Sequence, residues 1–124
     1  MLQKLDVVEI LVKDWPVAIQ WYTEKLGLQI HDRDDEQQWC RLLFPQGGSA
    51  LALWGRSPEN RGDQYVPIIL VDDLEATVKE LAGRGVEFKE KIRRGSIRDG
   101  KAFLITTLVD CEDNELQLID YLAR

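Results

Sequence analysis

The chain has 124 residues, 44% hydrophobic and 31% charged, with a formal net charge of −6. That length suits a single domain with a real core, and the acidic balance argues against a nucleic-acid surface, which needs a basic face. No apolar run approaches the roughly 20 residues of a membrane span, and the start "MLQKLDVVEI" lacks a signal-type basic and apolar pattern, so a cytoplasmic protein is expected.

Two distant cysteines, Cys40 and Cys111, predict buried or inert thiols rather than a disulfide framework. With His31 the single histidine, the chain gives little support to a Ser-His-Asp or Cys-His pair. His31 itself, in "HDRDDE", reads as a surface residue.

Residues 7–12 alternate as a strand. Val8, Ile10 and Val12 form a β-branched face suited to a helix, and Val7, Glu9 and Leu11 form the other. Asp14 is an N-cap, and Pro16 falls in the first turn, where no backbone donor is needed. Trp15, Ala18, Ile19, Tyr22 and Leu26 then recur at helical spacing, and Gly27 closes the helix. Residues 28–33 read as a short strand followed by a charged turn. Residues 39–44 form a strand with Trp39, Arg41 and Leu43 on one face. After the "PQGG" turn, residues 49–54 place Ala50, Ala52 and Trp54 together.

The loop "GRSPENRGDQ" separates two modules, placed at about 1–56 and 64–124 with a linker at about 57–63, within one domain spanning 1–124. Its Arg61-Gly62-Asp63 tripeptide reads as a charged glycine turn rather than an adhesion motif. The second module opens at Val66, with Pro67 at a strand start or edge. Asp73 caps a helix striped by Leu74, Thr77, Val78 and Leu81, and "GRG" ends it. Residues 86–91 read as a strand, "IRRGSIRDGK" as a basic solvated loop, and residues 101–109 and 115–121 as the last two strands around a "DCEDN" turn.

The two halves repeat one plan of strand, helix and three strands. Val12 aligns with Val71, Asp14 with Asp73, Trp15 with Leu74, Ile19 with Val78 and Tyr22 with Leu81. Two copies of this length suggest paired units rather than a solenoid.

The stretches "LVKDWPVAIQWYTEKLGL", "VDDLEATVKELAGRGVEF" and "LVDCEDNELQLID" carry a further reading. In this order the chain resembles the vicinal oxygen chelate superfamily, which includes glyoxalase I, extradiol dioxygenases and the bleomycin and fosfomycin resistance proteins. The resemblance implies an α+β fold: two βαβββ modules in tandem forming curled mixed sheets around a cleft, with one helix packed on each module. It also implies four metal-ligand positions, which fall on Val7, Ala52 (or Ala50), Val66 and Gln117. Valine and alanine have no donor atom, so no metal site and no other cofactor is expected, a divalent ion being the minor alternative.

The cleft faces implied by this fold offer Glu9, Trp39, Arg41, Ala52, Trp54 and Gln117 as ligand-binding candidates, with two aromatic walls and two small residues, Ala50 and Ala52, leaving room. Glu9 is the catalytic candidate, a carboxylate able to move a proton beside a carbonyl; the plainer reading pairs it with Arg41 or leaves it at a wet cleft mouth. Trp39 and Trp54 stack on a ligand or belong to a core or dimer interface. The expected function is a metal-free binder of a small organic molecule, forming a homodimer and binding neither nucleic acid nor membrane. The alternative is a lyase, isomerase or dioxygenase-like enzyme with Glu9 as base.

Overall fold

The computed structural model describes residues 1, 3, 5–57, 66–96 and 102–122; the Arg61-Gly62-Asp63 tripeptide and the basic residues Arg98 and Lys101 lie outside them. The chain divides into two units, residues 1–62 and 63–124.

The first unit runs β1 (Val8–Val12), α1 (Trp15–Leu26), β2 (Gln29–Asp34), β3 (Trp39–Leu43) and β4 (Ala50–Gly55). Its sheet has the order β1-β4-β3-β2, with β1 parallel to β4 and the other pairs antiparallel. The helix begins where the sequence places it, for a local reason. Asp14 accepts a hydrogen bond from the Val17 amide at 3.3 Å, and proline occupies the first turn. It ends at Gly27, whose φ of 75° is left-handed and is tolerated best by glycine. Trp15, Ala18, Ile19 and Tyr22 are buried on this helix, and Ile10, Val12, Cys40, Leu42, Leu51 and Leu53 supply the apolar face of the sheet. The buried Trp15 indole donates to the Leu53 carbonyl at 3.0 Å, which ties the first helical residue to β4.

Strand β2 differs from its neighbours. All six of its residues are exposed, and its register with β3 shifts between Ile30 and Asp32.

The second unit runs β5 (Ile68–Leu70), α2 (Leu74–Gly83), β6 (Glu87–Phe88), β7 (Arg93–Ser96), β8 (Ala102–Val109) and β9 (Glu115–Tyr121). Strand β5 lies parallel to β9, β9 antiparallel to β8, and both β6 and β7 pair with β8. The expected α+β plan holds, with two mixed sheets and one helix in each unit. Asp73 caps α2 through the Ala76 amide at 3.1 Å. The left-handed residue after this helix is Gly85, with φ of 91°.

One expectation fails in part. Arg93–Ser96, read as solvated loop, is a strand in register with residues 102–105. "RRGS" has no apolar alternation, so side-chain pattern could not reveal it; its order comes from the free edge of the long strand β8. Gly95 is the enabling residue, because a Cβ there would lie 2.6 Å from the Phe103 ring. The expected strand over residues 86–91 shrinks to Glu87–Phe88. Beyond it the Lys89 amide still donates to the Thr107 carbonyl at 2.8 Å, and the Thr106 hydroxyl donates to the Glu90 carbonyl at 2.9 Å. The third module strand is thus preceded by one strand broken into two.

The α2 N-terminus is held from the sheet. Asp120 is buried on β9, and its Oδ2 accepts from the Leu74 amide at 3.1 Å. Leu74 is the repeat partner of Trp15, so each helix is tied at its first residue to the last strand of its unit. Removing a buried acceptor strands its donor, at a cost of about 1–3 kcal/mol. Asp120→Ala is therefore expected to lower the unfolding free energy by that amount, read as a lower urea midpoint at an unchanged m-value, and Asp120→Asn, which keeps an acceptor, to lower it less.

Candidate functional site

Alternation along the strands of the first unit sets a second face, turned away from α1. Its rows are read from the registers: Glu9 opposite Ala52, Ala52 opposite Arg41, and Arg41 opposite Asp32. The next row runs Leu11, Trp54, Trp39 and Asp34. Trp39 and Trp54 are therefore direct cross-strand neighbours.

Two long side chains of β3 reach over β4. The Trp39 indole Nε1 donates to Glu9 Oε2 on β1 at 2.8 Å. The Arg41 Nη1 donates to Asp6 Oδ1, just before β1, at 3.2 Å. In the other direction, Arg41 Nε lies 3.1 Å from Asp32 Oδ2 on β2, an ion-pair distance whose angle does not make a hydrogen bond. Strands lie about 4.8 Å apart, so both side chains must cross the central strand. Alanine permits it. Ala52 is fully buried, so the room expected above it is already filled by the protein itself.

The pairing also differs from expectation. Glu9 does not meet Arg41; it takes the Trp39 N–H, while Arg41 is held between Asp6 and Asp32. Asp6 and Asp32 escaped the sequence reading for separate reasons. Asp6 precedes β1, where strand alternation no longer says which way a side chain points. Asp32 follows the register shift in β2, which breaks the count of alternate residues. His31 Nδ1 lies 3.0 Å from Asp32 Oδ2 and is exposed, as expected of a surface residue.

Each tryptophan carries a guanidinium. Arg41 Cζ lies 5.4 Å from the Trp39 ring centre, and Arg56 Cζ lies 4.3 Å from that of Trp54. Arg56 Nη1 otherwise donates to the carbonyls of Gly55 at 2.7 Å and Gln37 at 3.3 Å. Both are cation–π distances, worth about 0.5–1 kcal/mol each at exposed positions.

The second unit carries the same rows with different chemistry. Ile68 stands opposite Gln117, and Gln117 opposite Thr107. Glu9, Ala52 and Arg41 in the first unit correspond to Ile68, Gln117 and Thr107 in the second. This correspondence selects Ala52 over Ala50 as the repeat partner of Gln117. Gln117 is half-buried, and its Nε2 donates to the Thr107 hydroxyl at 3.4 Å, near the limit for a hydrogen bond.

The four positions that the resemblance assigns to a divalent ion are Val7, Ala52, Val66 and Gln117, and three of the four side chains have no donor atom. Among the described residues, no three His, Cys, Asp or Glu side chains converge as a metal site. The donor set does not fit an ion of the kind these positions hold in metal-using relatives.

Two βαβββ units with paired registers define a glyoxalase-type fold. The family model for the Glyoxalase/Bleomycin resistance protein/Dioxygenase superfamily matches residues 4–118, and the chain belongs to that superfamily. No curated protein sequence matches it. Among solved structures it is similar to a superfamily member from Sphaerobacter thermophilus, with a TM-score of 0.74 and 20% identity over 96% of this chain and 98% of that one. A glyoxalase/bleomycin resistance protein/dioxygenase from Alicyclobacillus acidocaldarius gives a TM-score of 0.72 and 21% identity over 96% and 92% of the two chains. A virulence protein from Salmonella typhimurium gives a TM-score of 0.74 and 17% identity over 98% and 99%. At such identities these likenesses establish the fold alone.

Neither cysteine forms a disulfide; Cys40 is buried as expected, whereas Cys111 is exposed on the β8–β9 turn. Burial pushes the Cys40 thiol up, which disfavours the reactive thiolate. A thiol-specific chromogenic reagent at neutral pH is expected to titrate one thiol per chain in the native protein and both in denaturant; Cys111→Ser is expected to leave the native protein unreactive.

Proposed function

We propose that this protein binds a small organic molecule on the face of the first sheet that carries Glu9, Trp39, Arg41 and Trp54 above the buried Ala52, without a metal ion. The observation that carries the reading is the joint change of the two rows. Where metal-using relatives place donors, this chain has Val7, Ala52 and Val66, while Trp39, Glu9 and Arg41 are held in fixed positions across Ala52. A face with two indoles and orienting polar groups suits recognition, which needs shape and hydrogen bonds but no nucleophile. Gln117 offers a neutral amide on the matching row of the second unit's own sheet and is a binding candidate there. The two units act in this reading as one domain of a cytoplasmic protein; among the described residues no helix is long and apolar enough to cross a membrane. A homodimer belongs to the reading as well, supported by the outer strand β5, whose Ile68 and Leu70 are 57% and 61% exposed.

A second reading makes Glu9 a general base. It is favoured by one fact: Glu9 Oε2 is engaged by Trp39, and no partner for Oε1 occurs among the described residues. That reading requires turnover that Glu9→Gln abolishes at an unchanged Tm.

The test is a thermal-shift panel. Divalent ions are expected to leave Tm unchanged, and a library of flat organic molecules to yield ligands that raise it. Trp39→Ala and Trp54→Ala are each expected to weaken such ligands by about tenfold, the loss of one buried aromatic contact. One divalent ion bound stoichiometrically, and lost on Glu9→Ala, would overturn the metal-free reading.

A further inference from the structure

The charges on this face are not balanced, and their arrangement says what a ligand must carry. Asp6, Glu9, Asp32 and Asp34 stand on or beside it, against Arg41 and Arg56. Arg41 is the single cation emerging from the middle of the sheet, and two carboxylates already hold it, Asp6 at 3.2 Å and Asp32 at 3.1 Å. An anionic ligand would have to displace one of them and sit among the remaining acids. Glu9 is in the opposite position: its one partner among the described residues is a neutral indole N–H. It has no cation of its own there.

The rings tell the same story. Trp39 and Trp54 each have a guanidinium within cation–π distance, at 5.4 and 4.3 Å. Arg56 is exposed and is anchored otherwise by two carbonyls, Gly55 and Gln37, that belong to its own end of the strand and to the adjoining turn. No carboxylate is recorded within ion-pair distance of it among the described residues. It is a side chain that could leave its ring at little cost, whereas Arg41 is held from both sides.

We propose that the face takes an organic cation, an amidinium, guanidinium or ammonium group on a flat apolar body, with Glu9 as its counter-ion and the two indoles as its stacking surface. Arg56 is the intramolecular competitor for the Trp54 ring. Glu9 serves twice, since the carboxylate that meets the cation also fixes the Trp39 indole by accepting its N–H. Cation–π attraction and ion pairing then act on one group, and the neutral and anionic analogues of the same ligand lose both. This inference rests on the small-molecule reading of the site and narrows it to a charge class.

Three matched probes test it: benzamidinium, benzamide and benzoate, which share a flat ring and differ in charge. The readout is the indole N–H resonances of Trp39 and Trp54, assigned with Trp39→Phe and Trp54→Phe. Benzamidinium is expected to shift both resonances, with benzamide and benzoate at least about fivefold weaker. Glu9→Gln is expected to weaken benzamidinium about fivefold, Glu9→Asp to retain part of the affinity, and Arg56→Ala to strengthen it about threefold. Added sodium chloride is expected to weaken binding of the cation. If benzamide or benzoate binds the same indoles as tightly as benzamidinium, the charge class is overturned and the small-molecule reading stands. If no probe moves either resonance, both fall. An Arg56→Ala variant that binds benzamidinium no better overturns the competitor role.

Discussion

Strand β4 carries two surfaces on one backbone, and the first unit depends on the contrast. Leu51 and Leu53 point to the helix and fill the core, while Ala50 and Ala52 point the other way and stay low. A larger residue at position 52 would stop Trp39 and Arg41 from crossing to the β1 side. With alanine there, Arg41 links β3 to the segment before β1 and to β2 at once, so one guanidinium spans the width of the sheet. The exposed ion pairs are individually weak. The Trp39–Glu9 hydrogen bond adds a second link from β3 to β1.

The two units keep one register and have let its contents diverge. In each, the first strand runs parallel to the last, and the first helical residue is tied to that last strand, by an indole N–H to a carbonyl in one and by an amide N–H to Asp120 in the other. Backbone pairing survives such changes because it needs no particular side chain. The rows turned away from the helices show the other side of this freedom: Glu9, Ala52 and Arg41 in one unit, Ile68, Gln117 and Thr107 in the other. Geometry is shared, and chemistry belongs to each copy.

That division explains what could be read in advance. Helix limits were legible because Asp14, Pro16, Gly27 and Asp73 act on their own neighbours, and capping is a short-range effect. The two sheet faces were legible because alternation is a property of the strand itself, so Glu9, Trp39, Arg41 and Trp54 fell on the right side. Their partners were not legible. Which carboxylate meets Arg41 depends on a register shift in β2 and on a segment outside the strand, and neither leaves a mark in the pattern of apolar residues. Strand β7 was hidden for a related reason: "RRGS" is ordered by the edge of β8 and by the fit of the Phe103 ring at Gly95, and neither shows in its own side-chain pattern.

The fully exposed strand β2 has a consequence for the company this protein keeps. Gln29, His31, Asp32, Arg33 and Asp34 line an outer rung of the sheet, and the shifted register bends its ladder. A foreign strand laid alongside would bring its own residues against three charged side chains in a row and would find the donors and acceptors out of step. Fibrillar growth needs a flat, uncharged border on which identical segments can stack. This border is charged and uneven, so the β2 edge of the first sheet is closed to runaway addition even where its backbone groups face solvent.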